Sequence, residues 1–146
     1  MKDFYKNQFD EGTITKLEIF ERYTAEWLPV FIMGHQKNIN IFDFFAGAGC
    51  DSNKTEGSPI RILKQIKKYV GKIFQNNKII NVYFNENNNK INDQLVDFCN
   101  QFIESDYELA RLKTNKHLNI EFLNDDFEIL FEKKYLRLNS ILHLYS

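Results

Sequence analysis

A short apolar run that ends in two closely spaced glycines constrains the fold of this 146-residue chain more than any other feature. Residues 39–45, INIFDFF, are rich in Ile and Phe, and the tetrapeptide AGAG follows directly at 46–49. The run predicts a buried strand, and the glycines predict a tight turn where the main chain approaches a ligand closely. We therefore expect a parallel sheet with a ligand site at the end of its first strand.

A helix is predicted before this strand, within residues 13–34. Apolar residues fall at helical spacing from Thr15 to Phe31, which makes the helix amphipathic. Thr15 and Glu18 have the spacing of a capping box, so we expect the helix to begin near Thr15. Pro29 should end or kink it, because proline lacks the amide N–H that a helix interior uses.

Strand and helix patterns alternate along the rest of the chain. The sequence predicts a helix from Ser58 to about Phe74, a strand at 78–84, a helix from Ile91 to about Lys113 with a break near Ser105, a strand at 118–123, a short helix at 127–133 and a final strand at 140–145. Strands separated by helix-length segments are typical of a parallel sheet with right-handed crossovers and helices over its faces. We expect a single α/β domain over residues 1–146 with a Rossmann-like sheet.

Composition narrows the classes of partner and compartment. Nineteen basic and twenty acidic side chains give a net charge of -1, so no overall field attracts nucleic acid or anionic lipid. Cys50, Cys99 and three scattered histidines do not have the spacing of a metal site. The chain has neither a leader-like start nor an apolar run of about 18 residues, so we expect a cytoplasmic protein that does not enter a membrane.

Three classes of ligand use a glycine turn of this kind. A dinucleotide fingerprint requires a third glycine and an immediate helix, whereas here the next helix begins only at Ser58. A phosphate-binding P-loop requires glycines where this chain has Ala48 and Asn53. S-adenosylmethionine has no pyrophosphate, and its methionine and ribose portions need only close approach to the main chain. The residues therefore favour an S-adenosylmethionine site.

Acidic residues follow the second and third predicted strands. Glu86 is placed to accept hydrogen bonds from the two ribose hydroxyls, and Asp126, or its neighbour Asp125, from the adenine amino group. The predicted cofactor-binding residues are Asp43, Phe45, Ala46, Gly47, Gly49, Glu86 and Asp126. No residue is assigned a catalytic role.

Four segments in order resemble the amino-terminal half of the three-Cys-motif partner (TcmP) proteins. They are TKLEIFERY at 15–23, WLP at 27–29, DFFAGAG at 43–49 and EGSP at 56–59. The resemblance implies a class I methyltransferase-like fold with an S-adenosylmethionine site, and a three-Cys-motif protein as partner. Because that family's own reaction is poorly defined, the resemblance implies a fold rather than a methyl acceptor.

Two other interpretations stay open. The string DFFAGAG also resembles the first motif of DNA cytosine-C5 methyltransferases, although eight residues, Cys50 to Gly57, separate it from the next helix. Alternatively, the chain is a non-catalytic α/β binding module that recognises a protein or nucleic acid through an exposed sheet edge or a basic helix. The basic residues of that helix are Arg61, Lys64, Lys67, Lys68 and Lys72.

The predicted sheet is partial. The final strand lies where the TcmP family carries an Asp-Pro-Phe-Gly-like loop, and a complete methyltransferase sheet has more than four strands. We therefore expect a methyltransferase-like domain that is truncated after about the fourth strand. An unpaired edge strand invites pairing with another chain, which predicts a homodimer through the fourth strand.

Overall fold

The computed structural model describes residues 8–130 and 142–145. The helices are α1 (Glu11–Ile32), α2 (Ser58–Lys67), α3 (Val70–Gln75), α4 (Asn89–Ser105), α5 (Tyr107–Thr114) and α6 (Phe127–Leu130). The strands are β1 (Asn38–Asp43), β2 (Ile79–Asn85), β3 (Leu118–Leu123) and β4 (Leu142–Tyr145). In the described part of the chain, no helix combines the length and apolar character needed to cross a bilayer.

The four strands form one parallel sheet in the order β3-β2-β1-β4. Ile41 at the middle of β1 lies opposite Val82 of β2 on one side and His143 of β4 on the other. This confirms the α/β class and the parallel, Rossmann-like partial sheet. The order also places a topological switch point between β1 and β4, because the chain moves outward from β1 to β3 and then returns to the other side of β1.

The two faces of the sheet are covered by different parts of the chain. Alternate strand residues such as Ile41 and Val82 join one apolar core with side chains of α1, α2, α3, α4 and α5. Right-handed crossovers in one direction put α2 to α5 on the same face. On the opposite face, Phe42 and Phe44 form a second cluster with Tyr83, Leu123 and Phe127 of α6.

The beginning and end of α1 differ from the prediction. The prediction that α1 begins near Thr15 with a capping box at Thr15 and Glu18 is wrong. The helix begins at Glu11, and the Asp10 carboxylate caps it by accepting a 2.6 Å hydrogen bond from the Thr13 amide. Pro29 does not end the helix, which continues to Ile32. Burial of apolar residues on both sides of the proline outweighs the one missing backbone hydrogen bond.

The other helix boundaries were predicted with mixed success. The single helix expected from Ser58 to Phe74 is two helices, because the amides of Lys68 and Tyr69 bond to carbonyls three residues back and tighten the chain. The break expected near Ser105 is confirmed between α4 and α5. Residues 131–133 of the sixth predicted helix and 140–141 of the last predicted strand lie outside the described residues.

Candidate ligand-binding site

A cleft of about 420 Å³ lies at the carboxyl ends of β1 and β2. Its lining residues are Phe9, Thr13, Leu17, Phe45, Ala46, Gly47, Ala48, Gly49, Cys50, Gly57, Ser58, Glu86, Asn87, Asn88 and Ile91. They come from the segment before α1 and its first two turns, the loop after β1, the start of α2, the segment that joins β2 to α4 and the first turn of α4. A volume of this size lies within the range of about 300–1,000 Å³ that is typical of small-molecule sites.

The loop after β1 has the open backbone that the sequence predicts. Gly47 and Gly49 have φ angles of +70° and +99°, in the left-handed region that favours glycine. A Cβ on Gly49 would lie 2.8 Å from Cδ1 of Phe98, whereas a Cβ on Gly47 would meet no atom within 4 Å. The main chain at Gly47 is therefore directly accessible from the cleft.

Glu86 points toward this loop, as the sequence predicts. Its Oε1 accepts a 3.2 Å hydrogen bond from the Gly47 amide, and its Oε2 accepts a 2.9 Å bond from the Asn88 amide. A carboxylate has about four acceptor positions, so these two bonds leave capacity for hydroxyl donors of a ligand. The structure thus brings a carboxylate and an open glycine backbone together at the ends of adjacent strands.

Asn85 holds these strand ends in place and was missed by the sequence analysis. Its Nδ2 donates to the carbonyls of Phe44 (3.2 Å) and Asp125 (3.0 Å), and its Oδ1 accepts from the Asp125 amide (3.0 Å). The side chain is buried. The sequence signal for such a role is an amide residue at the last position of a strand that otherwise carries one polar amide side chain, Asn81.

Asp43 lies beneath the loop rather than in the main cleft. Its carboxylate accepts hydrogen bonds from the Ser58 hydroxyl and from the Phe45 amide (3.3 Å), and so connects the end of β1 to the start of α2. Complete burial raises the pKa of Asp43 to about 6, and the nearby Glu86 carboxylate adds to the shift. Asp43 borders a smaller cavity of about 160 Å³.

The predicted cofactor residues divide into three groups by position. Phe45, Ala46, Gly47, Gly49 and Glu86 border the main cleft. Asp43 borders the smaller cavity, which adjoins the cleft because Thr13, Leu17, Phe45 and Ser58 line both. Asp126 is exposed, and its carboxylate accepts a 3.0 Å hydrogen bond from the Glu128 amide at the start of α6; it is not among the described residues that line either cavity.

The stretch between the glycines and α2 is an ordered loop built around Asp51. The Asp51 carboxylate accepts hydrogen bonds from the amides of Asn53 (2.9 Å), Thr55 (2.8 Å) and Phe9 (2.8 Å). Burial favours the neutral acid, but these hydrogen bonds outweigh it and lower the pKa of Asp51. The bond to Phe9 also places the segment before α1 against the cleft, which nothing in the sequence indicated.

The described lining of the cleft contains one ionisable acid, Glu86, and no lysine, arginine or histidine. Burial raises the pKa of the Cys50 thiol, so this side chain favours its neutral form. The cleft therefore has a negative electrostatic character. Such a site suits a neutral or cationic ligand better than a polyanion.

Among the described residues, no group of three or more His, Cys, Asp or Glu side chains is placed to hold a metal ion. Comparisons of the chain with protein-family models, with curated proteins and with solved structures find no match. Fold and site geometry together show an α/β protein with a Rossmann-like partial sheet and a cleft at the ends of β1 and β2.

Proposed function

We propose that this chain binds S-adenosylmethionine in the cleft and is a methyltransferase-like protein of the TcmP type, with an unassigned methyl acceptor. One observation carries the proposal: the Glu86 carboxylate lies beside the open Gly47 backbone at the ends of two adjacent parallel strands. Ribose hydroxyls are the natural donors to such a carboxylate. The glycine backbone then accommodates the atoms next to the ribose without obstruction by a side chain.

The charge of the cleft supports a sulfonium ligand over a nucleotide. S-adenosylmethionine has a positive sulfonium and ammonium group, which the Glu86 carboxylate favours. A phosphate would instead use the amides at the start of a helix, but here the buried Asp43 carboxylate accepts from Ser58 at the start of α2. A phosphate here would lie near two carboxylates, those of Asp43 and Glu86, against one basic side chain, Lys16, among the described lining of the two cavities. This excess of negative charge disfavours NAD and ATP.

Apolar side chains provide the surface for the base. Leu17, Phe45 and Ile91 border the cleft, and the Phe45 side chain is 53% exposed. Aromatic and aliphatic groups of this kind pack well against a purine ring. A nucleoside would thus have apolar contacts at one end and the Glu86 carboxylate for its sugar.

Isothermal titration calorimetry with S-adenosylmethionine, S-adenosylhomocysteine, NAD and ATP tests the proposal. We expect saturable binding of the first two ligands alone. Glu86→Gln should weaken that binding by at least about tenfold, or ~1.4 kcal/mol, because it removes the charge and one acceptor oxygen. Glu104→Gln is the matched control, since Glu104 is exposed on α4. Absence of binding by all four ligands, or equal loss in both variants, would refute the proposal.

The nucleic-acid interpretation has less support from the structure. Three of the five basic residues of the helix pattern after Ser58 already contact carboxylates: Arg61 lies 3.7 Å from Glu21, Lys64 2.5 Å from Glu56, and Lys67 2.5 Å from Asp106. These contacts reduce the positive charge that a phosphate backbone would meet.

A further inference from the structure

The outward side of α1 carries an exposed apolar stripe. Ile19, Tyr23, Val30 and Met33, which is the C-cap residue, are 63%, 52%, 66% and 60% exposed. Their spacings of four, seven and three residues follow a heptad seam, with Glu26 at the remaining position. The core residues of the helix, Thr24, Trp27, Leu28 and Ile32, are buried. The stripe therefore lies on the opposite side of α1 from these core residues; at its end, the Met33 sulfur accepts a 3.8 Å contact from Nδ2 of Asn76.

The charges within the stripe indicate which partner fits it. Lys16 occupies the next position of the seam toward the start of α1, so the seam residues in order are Lys16, Ile19, Tyr23, Glu26 and Val30. In an antiparallel pair of α1 helices, one register places Ile19 opposite Tyr23 of the second copy. The same register places Lys16 opposite Glu26 of the second copy. Two-fold symmetry repeats each pairing, so a second copy of the chain provides two apolar contacts and two ion pairs.

Alternative pairings of the same helix lose this complementarity. A parallel pair would place Glu26 against Glu26 and Lys16 against Lys16, so like charges would meet at both positions. An antiparallel pair shifted by one heptad would place Glu26 opposite Tyr23 and Lys16 opposite Met33, which breaks both ion pairs.

We propose that the protein forms a symmetric antiparallel dimer through the exposed face of α1. The buried residues of each α1 lie on the side of the helix opposite the stripe, so the two apolar cores lie on opposite sides of the helix pair. The dimer does not use the β4 edge and does not depend on the ligand in the cleft. Lys16 also borders the smaller cavity beside the cleft, but the other seam residues line neither cavity, so the dimer is argued separately from the proposed function.

Sedimentation velocity over a range of protein concentrations gives the first test. We expect a species of twice the chain mass that dissociates on dilution. Lys16→Glu and Glu26→Lys should each raise the dimer dissociation constant by about tenfold or more, because like charges then meet at two positions. The double variant restores opposite charges and should restore the dimer. Circular dichroism checks that each variant stays folded.

Disulfide trapping tests the register. A mixture of an Ile19→Cys chain and a Tyr23→Cys chain should form the mixed disulfide faster than either chain alone forms its own. The native thiols do not compete, because Cys50 and Cys99 are buried. A monomer at every concentration would overturn the proposal. So would a dimer that is unaffected by both charge variants, because such a dimer must use another surface, such as the β4 edge.

Discussion

Two buried aspartates differ in the charge state that their surroundings favour. The Asp43 carboxylate is completely buried and accepts hydrogen bonds from only two groups among the described residues, Ser58 and the Phe45 amide. Burial therefore raises its pKa to about 6 from an ordinary 3.8. The pKa of Asp51 is lowered, because three amides donate to its carboxylate. The sign of each pKa shift therefore depends on the balance between desolvation, which raises the pKa, and donated hydrogen bonds, which lower it.

Asp43 should make the protein less stable as pH rises. With a raised pKa, the folded state binds the proton more tightly than the unfolded state, so the contribution of Asp43 is largest below about pH 4 and is lost through about pH 6. Asp43→Asn should gain stability relative to the natural protein over this window, on the order of 3 kcal/mol. Urea unfolding from pH 4 to pH 8 measures the difference.

Asp51→Asn is the control, because the pKa of Asp51 is shifted in the opposite direction from that of Asp43. Its stabilisation is present above the ordinary pKa of an aspartate and is lost as pH falls through the lowered pKa. The variant should therefore be less stable than the natural protein by a constant amount from pH 4 to pH 8, and the difference should shrink only when the urea series is extended below about pH 4. Parallel pH profiles for the two variants would contradict the assignment of opposite shifts.

At the scale of elements, the sequence predicts strands better than helix ends. The segment 118–123 matches β3, and the predicted strand at 78–84 differs from β2 by one residue at each end. A strand pattern of apolar residues over six or seven positions is a local feature of the sequence, so it predicts a strand without reference to distant contacts. Helix ends are harder to predict because more than one residue can serve as a cap: Asp10 caps α1 although Thr15 and Glu18 have the capping-box spacing.

The joint between α4 and α5 depends on Asp106. The residue ends α4 and caps α5, and its carboxylate accepts from the Leu109 amide (3.1 Å) and from Lys67 of α2 (2.5 Å). Asp106→Ala should cost about 1–2 kcal/mol of unfolding free energy, most of it from the lost cap. Asp106→Asn keeps a capping oxygen and should cost less. Urea unfolding compares the two, and equal losses would mean that the cap contributes little.

At the scale of the whole molecule, the sequence predicts the cleft residues that follow β1 and β2 but not those at the start of α1. Gly47 and Glu86 follow neighbouring parallel strands, whose carboxyl ends meet at one edge of the sheet, so sequence order alone places them together. Phe9, Thr13 and Leu17 also line the cleft, but they reach it only through the packing of α1 and the hydrogen bond from Phe9 to Asp51. No local pattern encodes that contact.

Because one apolar core joins α1 to α5 with β1, β2 and β3, ligand binding should stabilise the whole fold rather than one loop. S-adenosylhomocysteine at one hundred times its Kd should add about 2.7 kcal/mol and raise Tm by roughly 8 °C in a single transition, measured by calorimetry. Gly47→Val should abolish the shift, because its side chain enters the cleft from a backbone with φ +70°. Gly71→Ala in α3, where a Cβ meets open space, should keep it. A shift that persists in Gly47→Val would place the ligand elsewhere on the molecule.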